Sequence, residues 1–237
     1  MTVTMDKLAV QNKADINGII FDLDGTLYRM RWYLRPILIW NLFPNSLRLP
    51  RFLKIRGSFS GLEMHTGKKL MDAICDKLAE AEKCSTVEIQ KWILEKFYPS
   101  FVSSMRYFSN SRPAINETLV NIKKNGYKLA VLSDYSQVYE RLKLLNIEPS
   151  CFDTFSSSET SGALKPSSRP FLEIAEKWNL TPEKILVIGD RDDTDGEAAR
   201  GAQMQFLQIS DSKTKQNQSM EWDEIRTFLS SLKNNNS

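Results

Sequence analysis

Two aspartates follow a short apolar segment near the start of the chain. The segment ends at Phe21; Asp22 and Asp24 come next, with one leucine between them, and Gly25 follows. Side chains two residues apart in an extended strand start on the same side, and a glycine lets the backbone turn sharply. A solvated acidic turn is the ordinary interpretation of such a pair, but the whole run after an apolar strand is much more specific for carboxylate chemistry.

A serine and a lysine stand at comparable positions later in the chain. Ser133 comes directly after the apolar segment 128–132, where its hydroxyl can donate to a phosphate oxygen. Lys165 precedes Pro166, and a proline restricts the residue before it to extended conformations. A serine after a strand is often only a cap, and a single lysine is usually at the surface. Their positions relative to the predicted strands therefore carry the argument.

A second acidic group follows the apolar segment 185–188. Its carboxylates, all between 190 and 197, belong to Asp190, Asp192, Asp193, Asp195 and Glu197. A solvated acidic loop is the alternative, but carboxylates this crowded repel one another unless a cation lies among them. Magnesium takes oxygen ligands and commonly one or two carboxylates. The pattern therefore favours a divalent-cation site at this point of the chain.

Short apolar segments alternate with amphipathic helical patterns along most of the chain. The predicted strands are 18–21, 128–132, 185–188 and 206–209, and helical patterns cover 113–124, 138–145, 170–178 and 222–232. This alternation predicts an α/β fold with a doubly wound parallel sheet. Such sheets bind ligands at the carboxyl ends of their strands, where the polar residues described above stand.

The alternation stops between residues 28 and 108. Only helical patterns are found there, such as 68–81 and 86–97. We predict an α-helical cap inserted after the first strand, with 1–27 and 109–237 forming the catalytic core and 28–108 the cap.

The four polar pieces, in this order and in these strand contexts, resemble the motifs of the haloacid dehalogenase-like (HAD) hydrolase superfamily, whose core is Rossmann-like. The run from Asp22 to Thr26 resembles the first motif, Ser133 the second, Lys165 the third, and Gly189-Asp190 with Asp195 the fourth. The resemblance extends over roughly residues 18–209, and the helical insert is similar to the cap of the phosphoglycolate-phosphatase-like branch.

The resemblance implies catalytic roles for four of these residues. Asp22 would be the nucleophile that forms an aspartyl-phosphate. Asp24 would protonate the leaving group and then activate the attacking water. Ser133 and Lys165 would hold phosphoryl oxygens, and Lys165 would also shield the charge of Asp22.

The resemblance also implies a magnesium site. Its ligands would be the side chains of Asp22 and Asp190 and the backbone carbonyl of Asp24, with Asp195 supporting the ion directly or through water. Asp193 is a rival for that last position, although the spacing from Asp190 favours Asp195.

The predicted function is magnesium-dependent hydrolysis of a phosphate monoester, with a small phosphorylated metabolite as substrate. Relatives that break carbon–halogen bonds lack the second aspartate, and related ion pumps carry threonine there, so Asp24 favours a phosphatase or a phosphomutase. The alternatives are a phosphomutase that uses the same residues and a non-catalytic binding protein on the same fold. The substrate and the oligomeric state stay open.

One residue departs from the family pattern beside the second motif. Asp134 follows Ser133 where asparagine is more usual, and a carboxylate aimed at phosphate would repel it. We expect its side chain to point away or to pair with a cation such as Arg191.

Composition limits the remaining classes of function. The net charge of +3 gives no support for nucleic-acid binding, and we expect none. The three cysteines are odd in number and lack metal-ligand spacing, which favours a reducing cytoplasm. We expect no transmembrane span, because no stretch approaches the roughly 18 apolar residues that one requires.

The segment from 25 to 62 contains no acidic residue. It carries seven cations, Arg29, Arg31, Arg35, Arg48, Arg51, Lys54 and Arg56, interleaved with Trp32, Trp40, Phe43 and Phe52. Three interpretations compete. The segment packs on the core with its arginines at the surface, or it is a lid whose arginines recognise a polyanionic substrate. In the third, residues 29–56 make a weak contact with a partner or with an anionic membrane surface.

Overall fold

A computed structural model describes residues 16–30, 33–107, 111–211 and 219–232 of the chain. Its strands form one parallel sheet in the order β3–β2–β1–β4–β5. Their bounds are β1 (Gly18–Phe21), β2 (Lys128–Ser133), β3 (Thr154–Ser157), β4 (Ile185–Gly189) and β5 (Gln205–Gln208). The strands β2 and β3 lie on one side of β1, and β4 and β5, which come later in the chain, lie on its other side. The crevice at the carboxyl ends of β1 and β4 is therefore the expected ligand site.

The four predicted strands are confirmed to within one residue at either end. The strand β3 was not predicted. It pairs only with β2 and therefore forms an edge of the sheet. Its sequence, Thr-Phe-Ser-Ser, is mostly polar and only partly buried. It lacks the continuous apolar run that identifies a strand buried on both faces.

The helices cover both faces of this sheet and the segment between β1 and β2. Their bounds are α1 (Leu34–Asn41), α2 (Arg48–Gly57), α3 (Gly67–Glu82), α4 (Thr86–Trp92), α5 (Tyr98–Ser104), α6 (Ile115–Lys124), α7 (Val138–Leu144), α8 (Ser158–Ser161), α9 (Arg169–Trp178), α10 (Glu197–Gly201) and α11 (Trp222–Ser230). A π-helical turn, Ile93–Phe97, joins α4 to α5, and another, Asp192–Gly196, leads into α10.

Successive residues of the central strands face opposite sides of the sheet. Ile19 and Phe21 belong to a large apolar cluster with α6, α7 and α11. Ile20 belongs to a second cluster with α9 and α10. Because side chains alternate along a strand and both faces are buried, the central strands are apolar throughout. The predicted doubly wound α/β fold is confirmed.

The helices α1 to α5 all lie between β1 and β2 in the chain, and described residues 33–107 contribute no strand to the sheet. Leu34, Phe52, Trp92 and Phe97 are buried in the large apolar cluster that also covers the sheet. The predicted boundary at 108/109 falls outside the described residues, so the division into core and cap stays a prediction.

The interpretation that placed the arginines of the basic segment at the surface is wrong for two of them. Arg56 is buried, and its Nε donates to Glu159 Oε1 at 2.9 Å. Arg48 is mostly covered and pairs at 2.9 Å with both Glu82 and Glu88. A guanidinium can be buried only beside a carboxylate, and the carboxylates come from distant parts of the chain. Arg31 and Trp32 lie outside the described residues.

Within the described ranges, no helix is both long enough and apolar enough to cross a bilayer.

Candidate active site

The predicted site residues meet at one edge of the sheet. Asp22 follows β1, Ser133 ends β2 and Asp190 follows β4. Asp195 lies in the π-helical turn before α10, and Lys165 lies between α8 and α9. The carboxyl ends of parallel strands all lie at the same end of the sheet, so residues far apart in sequence converge there.

Lys165 lies at the centre of this group. Its Nζ donates to Asp22 Oδ1 and to Asp195 Oδ1, both at 2.7 Å, and to the carbonyl of Leu132 at 3.1 Å. Burial disfavours the charged form, but the carboxylates of Asp195 and Asp22 outweigh burial and raise the pKa of Lys165. Lys165 is therefore a permanent cation between two buried carboxylates.

Three carboxylates form a candidate metal centre. Oxygens of Asp22, Asp190 and Asp195 lie within 4.8 Å of one another. Burial raises the pKa of Asp22 well above its usual value, although Lys165 opposes the shift. Burial, with a contribution from Asp195, raises the pKa of Asp190 to about 6. Such crowding stabilises a bound dication, because the dication replaces protons on the carboxylates.

The second oxygen of Asp22 is an independent indication of a cation site. Asp22 Oδ2 is buried and has no hydrogen-bond partner among the described residues. A buried carboxylate oxygen without a partner is costly. The carboxylate of Asp22 lies beside those of Asp190 and Asp195, so the donor set fits the all-oxygen preference of Mg²⁺.

Two glycines let the carboxylates approach this closely. Gly25 has φ +92°, and a Cβ there would overlap the carboxylate of Asp190. A Cβ on Gly189 would overlap the side chain of Asp195. Any larger residue at either position would push a carboxylate out of the centre.

Asp24 does not turn its carboxylate toward the metal centre. Its oxygens accept from Tyr28 OH at 2.6 Å, from Ser133 Oγ at 2.9 Å and from Arg141 Nη2. Burial favours the protonated form, but the charge of Arg141 and these hydrogen bonds outweigh burial and lower the pKa of Asp24. Asp24 is therefore a carboxylate in this geometry.

Arg141 is a site residue that the sequence analysis missed. It is fully buried; its Nη1 donates to Ser133 Oγ at 2.9 Å, and its guanidinium lies 4.7 Å from the ring centroid of Phe101. Helical spacing contained a signal. Arg141 occupies the apolar stripe of α7 that Val138 and Leu142 define, where a charged residue needs a partner.

The choice between Asp193 and Asp195 follows from where their side chains lie. Asp193 is largely exposed, and both its oxygens accept from Arg191, at 3.1 and 2.7 Å. Asp195 is buried, with its carboxylate in the cluster around Lys165. The geometry therefore favours Asp195 for the metal centre.

Of the two alternatives expected for Asp134, the pairing with Arg191 is wrong, because Arg191 pairs with Asp193. The Asp134 carboxylate instead accepts from the backbone N–H of Lys165 at 3.3 Å.

A buried network joins the helical insert to the loop after Ser133. Glu159 accepts from Arg56 Nε at 2.9 Å, from Tyr98 OH and from Ser136 Oγ at 2.8 Å. Arg56 Nη2 also donates to the carbonyl of Asp134 at 2.6 Å. Arg56 reaches the site, but Glu159 neutralises it. It is therefore not a free cation for a polyanionic substrate.

Comparisons with known proteins identify a family. A family model for haloacid dehalogenase-like hydrolases matches residues 16–203. A phosphoglycolate phosphatase from Aquifex aeolicus is 30% identical over 186 residues, which cover 78% of this chain and 80% of that protein. A glyceraldehyde 3-phosphate phosphatase from Methanocaldococcus jannaschii is 25% identical over 223 residues, which cover 90% of this chain and 92% of that protein.

A solved structure supports the fold alone. It is a Bacillus subtilis protein assigned to the HAD hydrolases and bound to magnesium, with a TM-score of 0.61 and 15% identity. The match covers 90% of this chain and 98% of that one.

Proposed function

Because this chain belongs to the haloacid dehalogenase-like hydrolases, we propose that it is a magnesium-dependent phosphatase that acts through an aspartyl-phosphate on Asp22. The observation that carries the proposal is the buried carboxylate of Asp22, bound by Lys165 on one oxygen and unpartnered among the described residues on the other. The two similar phosphatases named above support a small phosphorylated metabolite as the substrate class.

In the first half-reaction, Asp22 attacks phosphorus and the bond from phosphorus to the alcohol oxygen breaks. Lys165 and the Ser133 hydroxyl hold phosphoryl oxygens. These contacts offset the repulsion between the carboxylate of Asp22 and the negative phosphoryl group. Asp22, Asp190 and Asp195 would hold Mg²⁺, with the backbone carbonyl of Asp24. When bound, this ion would neutralise charge on the phosphoryl oxygens and align them.

In the second half-reaction, water attacks the phosphorus of the aspartyl-phosphate. Asp24 accepts the proton of that water, inorganic phosphate leaves and the carboxylate of Asp22 is restored. In the first half-reaction Asp24 must instead donate a proton to the leaving alcohol. Arg141 favours the carboxylate form, so Asp24 has to separate from Arg141 to carry that proton. Arg141 is thus a positioning residue for Asp24.

We also propose that residues 28–108 act as the cap of this site. Arg56 and Tyr98 contact Glu159 and the loop after Ser133. Phe101 lies against the guanidinium of Arg141. The insert therefore contacts both the loop after Ser133 and Arg141, the residue that positions Asp24.

A screen of phosphate monoesters with magnesium tests the proposed function. We expect inorganic phosphate to be released in equal amount to the alcohol from at least one small metabolite. Chelation should stop the reaction and added magnesium should restore it. Transfer of the phosphate to another position of the same substrate, through a bisphosphorylated intermediate, would assign a phosphomutase instead.

Replacing Asp24 with Asn should separate substrates by their leaving group. The amide cannot supply a proton, so kcat/KM for alkyl phosphates, which reports the first half-reaction, should fall about 10²–10⁴-fold. The loss should be much smaller for p-nitrophenyl phosphate, whose leaving group needs no acid for its departure. Parallel assays of the two substrate types measure this difference. An equal loss for both would argue against the acid role of Asp24.

Asp195→Asn should chiefly raise the magnesium concentration needed for half-maximal activity, because it removes one carboxylate from the cluster with Asp22 and Asp190. We expect a shift of about tenfold or more, in the range seen when support of a metal site is lost. The matched control is Asp193→Asn, which changes an exposed carboxylate paired with Arg191. Equal shifts in the two variants would contradict the assignment of Asp195.

A further inference from the structure

The end of α1 and the turn that leads to α2 expose a group of large apolar side chains, which we call the apolar tip. Ile39, Trp40, Phe43 and Leu47 are exposed by 46%, 83%, 80% and 76%. Single exposed apolar residues are normal on a protein surface and need no explanation. Four within nine residues form an exposed apolar surface, which is typical of a contact site.

The core does not account for the apolar tip. Leu34, Leu38 and Leu42 bury the inner side of α1 and the turn after it, while Ile39 and Trp40 lie on the outer side of the same helix. The outer side of a helix at the surface of a globular protein is normally polar. This segment therefore carries large apolar side chains both on the side that packs and on the side that faces solvent.

Two exposed cations flank the apolar tip. Arg48, Arg51 and Arg56 form ion pairs. Arg35 and Lys54 are exposed, and neither pairs with an acidic side chain in the part of the chain that the structure describes. Arg35 is one helical turn before Ile39. Arg35 therefore shares a helix side with Ile39. Lys54 lies seven residues after Leu47, the residue that directly precedes α2.

We propose that the apolar tip, with Arg35 and Lys54, docks on the surface of an anionic lipid bilayer. Aromatic side chains such as Trp40 and Phe43 suit the boundary between head groups and acyl chains. Each cation near an anionic leaflet adds electrostatic attraction. A symmetric contact with a second copy is disfavoured, because the segment 25–62 has no acidic residue and would face its own positive charge.

Docking would place the candidate active site near the membrane surface. The helix α2 begins beside the apolar tip at Arg48 and carries Arg56 near its other end, where Arg56 donates to the carbonyl of Asp134. A helix of ten residues is about 15 Å long. A docked apolar tip would therefore hold the loop after Ser133 within roughly one helix length of the lipid surface.

Vesicle co-sedimentation tests the proposal. Wild-type protein is mixed at low salt with vesicles of phosphatidylserine and phosphatidylcholine, or of phosphatidylcholine alone. We expect about tenfold or greater partition onto the anionic vesicles, decreasing with added salt. Trp40→Ser with Phe43→Ser should abolish binding, and Arg35→Glu with Lys54→Glu should lower it at least about tenfold.

The matched control replaces two apolar residues that are exposed elsewhere in the insert. Val87 and Leu94 are 71% and 66% exposed, and Val87→Ser with Leu94→Ser should leave vesicle binding unchanged. Circular dichroism and the melting temperature establish folding of every variant without reference to phosphatase activity. The result is therefore independent of the proposed function.

Three outcomes overturn the proposal. The first is absence of wild-type binding to anionic vesicles at low salt. The second is equal binding by the wild type and the Trp40→Ser, Phe43→Ser variant. The third is self-association that this variant abolishes without any vesicle binding, which would assign the apolar tip to a second copy of the chain.

Discussion

Replacing Asp22 with Asn is expected to lower kcat by at least about 10⁴-fold at every magnesium concentration, which is the scale of loss when a covalent nucleophile is removed. The amide has nearly the shape of the carboxylate but cannot attack phosphorus. It also removes one charged oxygen from the cluster with Asp190 and Asp195. The measurement is release of inorganic phosphate from the best substrate of the screen, followed across a magnesium titration.

The stability of the same variant separates loss of the nucleophile from loss of the fold. Burial raises the pKa of Asp22 in the folded protein. The charge of Asp22 therefore destabilises the folded state once the pH rises above the pKa that this residue has in the unfolded chain. Asp195 still pairs with Lys165 in this variant, so without magnesium the melting temperature of Asp22→Asn should equal or exceed that of the wild type at neutral pH. Asp192→Asn, an exposed change in the acidic turn, is the control and should stay active. Comparable activity of Asp22→Asn and the wild type would reject the proposed nucleophile.

Replacing Lys165 with Met should damage both activity and stability. The ammonium of Lys165 lies 2.7 Å from Asp22 and 2.7 Å from Asp195, and all three side chains are buried. Removal of one partner from a buried ion pair leaves uncompensated charge and costs about 3–5 kcal/mol. Protonation of Asp22 limits the loss, so we expect about 3 kcal/mol and a melting temperature lower by roughly 6–12 °C. Activity should fall at least about 10³-fold, because a buried cation at the phosphoryl group is lost.

The pH dependence and a control identify the cause of this loss. The deficit should shrink as pH falls through the raised pKa of Asp22, because protonation removes the charge that Lys165 compensates. Magnesium should stabilise Lys165→Met more than the wild type, since a dication replaces part of the missing charge. Lys128→Met changes an exposed lysine at the opposite end of β2. It should show neither the pH-dependent loss of stability nor the additional stabilisation by magnesium. A pH-independent deficit would show that lost packing, rather than lost charge, is the cause.

Much of the fold was readable from local patterns. The central strands β1, β2 and β4 are buried on both faces, so each contains a continuous apolar run with a polar residue directly after it. That pattern located Asp22, Ser133 and Asp190 at the strand ends without any structure. The edge strand β3 was missed for the same reason, because a strand at the edge of a sheet needs no such run.

The partners of the site residues could not be predicted in this way. Arg141 binds the Asp24 carboxylate across 117 positions of the chain, and Arg56 binds Glu159 across 103. A cation in a helical pattern looks the same in the sequence whether solvent or a buried carboxylate surrounds it. The alternative that paired Asp134 with Arg191 is wrong for the same reason, since Asp193 lies closer in sequence and pairs with Arg191.

The sequence by itself located the strands β1, β2, β4 and β5 and the residue types at their ends. These features depend on local apolar burial and on the period of a strand, which neighbouring residues decide. Only the tertiary structure decided the ionisation and orientation of those residues. Asp24 is a carboxylate turned toward Arg141, whereas Asp22 is held by Lys165 with one oxygen unpartnered among the described residues. The same side chain differs in its pKa and its contacts because burial and neighbouring charges, which the fold brings from distant segments, set the cost of its charge.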